Sequence, residues 1–186
     1  MEEKSCCFIG HRTINTNQDL VDRLQGEIIN LIEKGVSRFI FGSRSEFDYL
    51  CHSIVTELKE AYPNIIRIAY DTKSESSILE KDKERFDAIY FKLSGEESNF
   101  AAYDEVIKDD KMYVSGKASY IERNELMIDA SDYCIFYYDE NYKPPVRNRS
   151  KKYACGLWTS DKSGTAIAYQ YALRRKKTII NVFVSQ

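Results

Sequence analysis

Three short stretches carry side chains able to handle an anionic ligand. Gly10, His11 and Arg12 directly follow an apolar run at residues 6–9, Gly42 and Ser43 follow a second at 36–41, and Ser163, Gly164 and Thr165 open a helical pattern late in the chain. A glycine after a strand permits a tight turn and close backbone approach, and free N–H groups at a helix start favour phosphate or carboxylate oxygens. Arg12 offers the planar fork that grips an oxyanion bidentately, and His11 can donate a hydrogen bond or move a proton. Each stretch also has a plainer use. Ser163 or Thr165 can cap a helix, Gly10 and Gly42 can be ordinary strand-end turns, and His11 with Arg12 can be a solvated pair that pins a loop.

The elements that must position these groups decide between the readings. A strand at residues 4–9 precedes a helix at 17–34, where Leu20, Leu24, Ile28 and Leu31 recur every three or four positions before Gly35 ends the pattern. A strand at 36–41 leads to a second helix striped by Phe47, Leu50, Cys51, Ile54, Val55 and Leu58 and closed by Pro63. Strands at 65–70, 133–138 and 178–184 continue the beat, with a helix starting near Ser163 between the last two. Strands joined by short helical crossovers predict an α/β, Rossmann-like fold: a mostly parallel sheet with helices on both faces. In such a sheet ligands bind beyond the carboxyl ends of the strands. All three stretches fall at such ends, so one rim would gather them.

Two segments break the pattern. Residues 72–116 are polar and mixed, with a short helix expected at 79–89, and read as an insertion near one sheet edge in a single domain spanning 1–186. Residues 139–162, containing "KPPVRNRSKK", read as a long functional loop able to fold over a ligand.

Composition narrows the partners. The 186 residues are 43% hydrophobic and 13% aromatic, ordinary for a globular domain. With 27 basic and 29 acidic side chains the formal charge is −2, so no overall positive field attracts a nucleic acid backbone. No apolar run approaches the ~20 residues needed to cross a bilayer, no secretory signal is evident, and a cytoplasmic location is expected. The five scattered cysteines lack metal or redox spacing and are expected to be reduced core residues, and no metal site is expected.

The segments "CCFIGHR", Gly42 with Phe47 and Asp48, "ERNELMIDASDYCIFYY" and "SGTAIAYQYALRRKKTIINVF" together resemble the YpsA-like family of the SLOG superfamily, which also contains the DprA and Lonely Guy (LOG) proteins. The likeness covers the first 70 residues and 117–184. It implies a Rossmann-like domain binding a nucleotide or nucleotide-derived ligand, with no other cofactor. Gly10, His11 and Arg12 would line the pocket, Gly42, Ser43 and Asp48 would form its second wall, Arg123 and Asn124 would face it from a helix, and residues 163–165 would hold phosphate. Asp139 is a further candidate for a ribose hydroxyl, or else a solvated loop acid. Relatives often pair through helices flanking the sheet, which makes a homodimer one candidate assembly and leaves the oligomeric state open.

Two departures bear on activity. The family's glycine-rich second strand end is replaced by Gly42-Ser43-Arg44-Ser45, and the glutamate that serves the phosphoribohydrolase branch is replaced by Ala168. The leading expectation is therefore binding or sensing of a nucleotide-like ligand. The alternative is an N-glycosidic hydrolase or transferase in which Glu122, Glu125 or Asp48 replaces the missing acid; Glu122 and Glu125 lie one turn apart and share a helix face. Nucleic-acid binding of the DprA kind has local support only in Arg147, Arg149, Lys151 and Lys152 with Tyr142, Tyr153 and Trp158, a run better explained as a solvated loop.

Overall fold

A computed structural model of the protein describes residues 3–42, 45–70, 88–90, 117–143 and 162–185. Six strands, β1 (Lys4–Gly10), β2 (Val36–Phe41), β3 (Ile66–Tyr70), β4 (Ala88–Tyr90), β5 (Tyr133–Tyr137) and β6 (Thr178–Asn181), form one sheet in the order β4-β3-β2-β1-β5-β6. Every neighbouring pair is parallel. Chain order reverses between β1 and β5, which makes their carboxyl ends the topological switch point.

Alternation along the strands sends side chains to two separate cores. Cys6, Phe8, Phe39 and Phe41 pack against α1 (Gln18–Glu33) and α2 (Glu46–Ala61), while Cys7, Ile9, Ile40 and Phe136 pack against α3 (Lys117–Asp129) and α4 (Gly164–Arg174). Leu20, Leu24, Ile28 and Leu31 are the buried stripe of α1, each contributing roughly 1.5–3 kcal/mol of apolar burial. Phe8 stacks on Phe39 and Phe41 at 6.0 and 5.0 Å between ring centres, joining β1 to β2 beneath the helices.

Three helices begin at the carboxyl edge with side-chain caps. Asn17 Oδ1 accepts from Leu20 N at 2.9 Å, Ser45 Oγ from Asp48 N at 3.0 Å and Ser163 Oγ from Ala166 N at 3.1 Å. Gly35, with φ of 91°, follows α1 in the left-handed region that favours glycine.

The α/β expectation holds, with adjustments. The helix expected at 79–89 runs into β4, because Ala88 and Ile89 pair with Ile68 and Ala69; residues 79–87 lie outside the described ones, as does most of the 72–116 insertion. The last strand stops at Asn181 and β5 at Tyr137. There Asn181 Nδ2 donates to Tyr138 O at 2.9 Å and its Oδ1 accepts from Tyr138 N at 3.0 Å, so a side-chain amide replaces the next ladder step. Cys6, Cys7, Cys51 and Cys134 are buried and free of disulfides, and burial raises the Cys6 and Cys51 thiols well above their usual range; Cys155 lies outside the described residues. No helix among the described residues is long and apolar enough to cross a membrane.

Candidate functional site

The ends of β2, β1 and β5 are adjacent, so the groups that follow them share a stretch of rim roughly 10 Å wide. At the β2 end, Asp48 from one helical layer and Arg123 from the other meet over Gly42. Asp48 Oδ1 accepts from Gly42 N at 3.1 Å and Oδ2 from Ser45 Oγ at 2.9 Å. A Cβ on residue 42 would lie 3.0 Å from Arg123 Nη2 and 3.1 Å from Cζ, so glycine here gives a guanidinium room to lie against the backbone. Asp48 is 8% exposed and Arg123 7%. Desolvation raises the Asp48 carboxyl above the usual Asp value, opposed by the Arg123 charge and by the hydrogen bonds from Gly42 and Ser45. Arg123 also lies over the Tyr120 ring, 5.3 Å from its centre. Asn124, one position on, is half-buried.

At the β1 end, Gly10 has a packing task. A Cβ there would fall 2.5 Å from Cγ and Cδ1 of the fully buried Phe47 ring. The next residue, His11, is 2% exposed and sits in an aromatic cluster: Tyr142 stacks on it at 3.9 Å and 21°, and Tyr137 meets it edge-on at 6.3 Å and 89°. Its Nε2 accepts from Asp139 N at 3.1 Å. Its Nδ1 is buried with no hydrogen-bond partner among the described residues. Desolvation lowers the His11 pKa from its usual value, outweighing the opposite pull of the Asp139 backbone and carboxylate, which favours neutral imidazole. Arg12 turns to solvent, and its carbonyl accepts from Glu46 N at 2.9 Å. Glu46 Oε2 also accepts from Ile14 N at 2.9 Å, tying this loop to the start of α2.

At the β5 end, Asp139 Oδ1 accepts from Asn141 N at 2.8 Å and its carbonyl from Tyr142 N at 3.2 Å, forming the turn that delivers Tyr142 to His11. Tyr138 stacks on Tyr169 of α4 at 4.5 Å, and Tyr169 meets Phe136 edge-on. The start of α4 is thereby held beside the switch point. Ser163 and Thr165 are buried there and Gly164 is half-buried. Ser163 is the N-cap, the plainer role foreseen for it.

The remaining acids divide. Glu122 Oε2 is buried with no hydrogen-bond partner among the described residues. Glu125, raised by desolvation and influenced by Arg174, Asp129 and Glu122, looks toward the far end of α4. Ala168 is buried against the sheet, and the first turn of α4 carries no acidic residue. Ser43, Arg44 and the basic run with Arg147, Arg149, Lys151, Lys152, Tyr153 and Trp158 lie outside the described residues. Sequence reasoning missed Asn181, Tyr138 and Tyr169. An asparagine interrupting the apolar run "TIINVFV" was the available signal for the first.

A family model, YpsA, described as the YspA SLOG family, matches residues 15–155. The chain belongs to this family. The solved structure of DNA processing protein A from Helicobacter pylori, described for its single-stranded DNA binding mode, is similar with a TM-score of 0.50 and 14% identity, over 95% of this chain and 63% of that one. At that identity the likeness is one of fold, and the SLOG chain spans under two thirds of that protein's length. No curated protein matches it.

Proposed function

We propose that the protein binds or senses a nucleotide or nucleotide-derived ligand at the carboxyl rim of its sheet. The observation that carries this reading is the half-buried aromatic cluster at the switch point, with Tyr138 and Tyr142 against His11 and Tyr169 stacked on Tyr138, beside the hydroxyl-bearing start of α4. Aromatic faces suit a base, and a helix start with free N–H groups suits a phosphate. The exposed Arg12 adds a cation to this edge. Membership of the SLOG family supports the same reading.

The test is mass spectrometry of ligands released from freshly purified protein, followed by thermal-shift titration with nucleoside monophosphates on wild type and Arg12→Ala. Stabilisation of wild type that weakens in the variant is the expected result. If no nucleotide stabilises either protein, the reading falls. Single-stranded DNA belongs in the same titration, because the solved neighbour is described by that activity; stabilisation by DNA alone, with steep salt dependence, would replace a small ligand with a strand.

One observation favours a second reading, N-glycosidic cleavage. The unpartnered buried oxygen of Glu122 is the kind of carboxylate that donates or accepts a proton at a leaving base. Base release from a nucleoside monophosphate that disappears in Glu122→Gln would establish turnover; no release by wild type removes it.

A further inference from the structure

The hydrogen bonds of His11 determine its tautomer. Asp139 N can only donate, so Nε2, 3.1 Å away, must offer its lone pair. An Nε2 that accepts carries no proton, so the one N–H of the ring sits on Nδ1, a neutral form that desolvation also favours. That N–H is buried with no acceptor among the described residues, in a ring that is 2% exposed. A buried donor left unmade carries its full desolvation penalty, and native structures rarely keep one without a use. The ring is held in place by Tyr142 on its face, at 3.9 Å, and by Tyr137 at its edge, and turning it over would break the bond to Asp139.

We propose that His11 is a tautomer-locked donor that reads an acceptor atom on the bound nucleotide through Nδ1–H, while its Nε2 clamps the turn at residues 139–142. This rests on the nucleotide reading above and adds a rule of selection. A neutral N–H donates to a phosphate oxygen, a base carbonyl or an unprotonated ring nitrogen, and leaves a ligand N–H at the same point without a partner. The ring also links two events. An acceptor drawing on Nδ1–H enriches Nε2, which strengthens its bond to Asp139. A filled site therefore holds the turn more firmly, and by reciprocity an ordered turn strengthens binding.

The chain has two histidines, so nitrogen-15 NMR of the imidazoles is assignable with His52→Gln alone. In the free protein His11 should show a protonated Nδ1 and an unprotonated Nε2. Adenosine monophosphate, ribose 5-phosphate and inorganic phosphate are then added in turn, with binding followed by calorimetry. Movement of the Nδ1 proton with all three assigns the acceptor to phosphate, and movement with the nucleotide alone assigns it to the base. Either supports the proposal, together with slower amide exchange at Asp139 and Tyr142. A protonated Nε2 in the free protein overturns it, as does a probe that binds without moving the Nδ1 proton. If none of the three binds wild type, the nucleotide reading fails and takes this one with it. His11→Phe, which keeps a ring on Tyr142 but no nitrogen, should lose about tenfold in affinity for the probe that binds; undiminished affinity would also refute the donor role.

Discussion

The two edges of the sheet use their polar groups differently. At the amino edge, Ser5 N and Oγ bond Asp132 Oδ2 and Ala130 O, Lys177 Nζ reaches the carbonyls of Asp129 and Ser131, and the Asp129 carboxylate takes Tyr171 and Arg175. These bonds stitch β1, β5 and the α3–α4 pair together. At the carboxyl edge the buried polar side chains are more numerous, and His11 Nδ1 lies there without a partner among the described residues. Hydrogen bonds that only build a fold can be completed when it folds. A group that must meet a ligand has to be left incomplete, at a cost that the rest of the molecule offsets.

The largest expected effect would test whether the carboxyl edge is also structural. Arg123→Leu strips the buried Asp48 carboxylate of the cation that opposes its desolvation, and removing one partner of a buried charge pair costs about 3–5 kcal/mol. Urea denaturation should show that loss at neutral pH. It should shrink in acid: Asp48 is already raised in the native state, so as pH falls through its native pKa the carboxyl becomes neutral and no longer needs Arg123. A loss that stays constant down to pH 3 would mean that Arg123 acts through packing alone.

Next comes Gly10→Ala, which would separate packing from ligand approach at the first motif. The added methyl meets Phe47 at 2.5 Å, and overpacking of this kind costs about 1–3 kcal/mol. Phe47→Leu should recover part of that in the double variant, a coupling measurable by a double-mutant cycle. Purely additive losses would contradict the contact. Ser5→Ala at the opposite edge should cost about 1 kcal/mol, through the lost bond from Oγ to Ala130 O, and leave nucleotide binding unchanged.

Much of the scaffold was legible because its signals are local. The stripe of α1, the strand at 36–41, the Ser163 cap and Gly35 each follow from a few neighbouring residues, and the parallel sheet follows from the beat. The ends of β5 and β6 were not legible, because a side chain forty-three positions away, Asn181, supplies the ladder bond at Tyr138. Ala88 and Ile89 of β4 read as helix for a related reason: they become a strand by pairing with β3. The candidate site divides the same way. His11, Gly42, Asp48 and Arg123 stood out by type and by family likeness. Gly10 was recognised as special, yet its constraint is a phenylalanine ring thirty-seven positions on, which no strand-end motif encodes.

The smallest effect expected concerns acid. The native state resists charging His11, because burial opposes it and because a proton on Nε2 would abolish the acceptor for Asp139 N. Of the groups around the ring, Tyr137, Tyr138 and Tyr142 present aromatic rings, and the backbone and carboxylate of Asp139 only partly offset the burial. The unfolded chain takes up this proton near pH 6.5 and the folded one at lower pH, so stability should decline as pH falls from about 7 to the native pKa and then level off. His11→Phe should remove that share of the decline. A wild-type profile that is flat between pH 7 and 5, or a Phe variant with the same slope, would show that His11 is already charged or already partnered. The carboxyl edge would then be as closed as the amino edge.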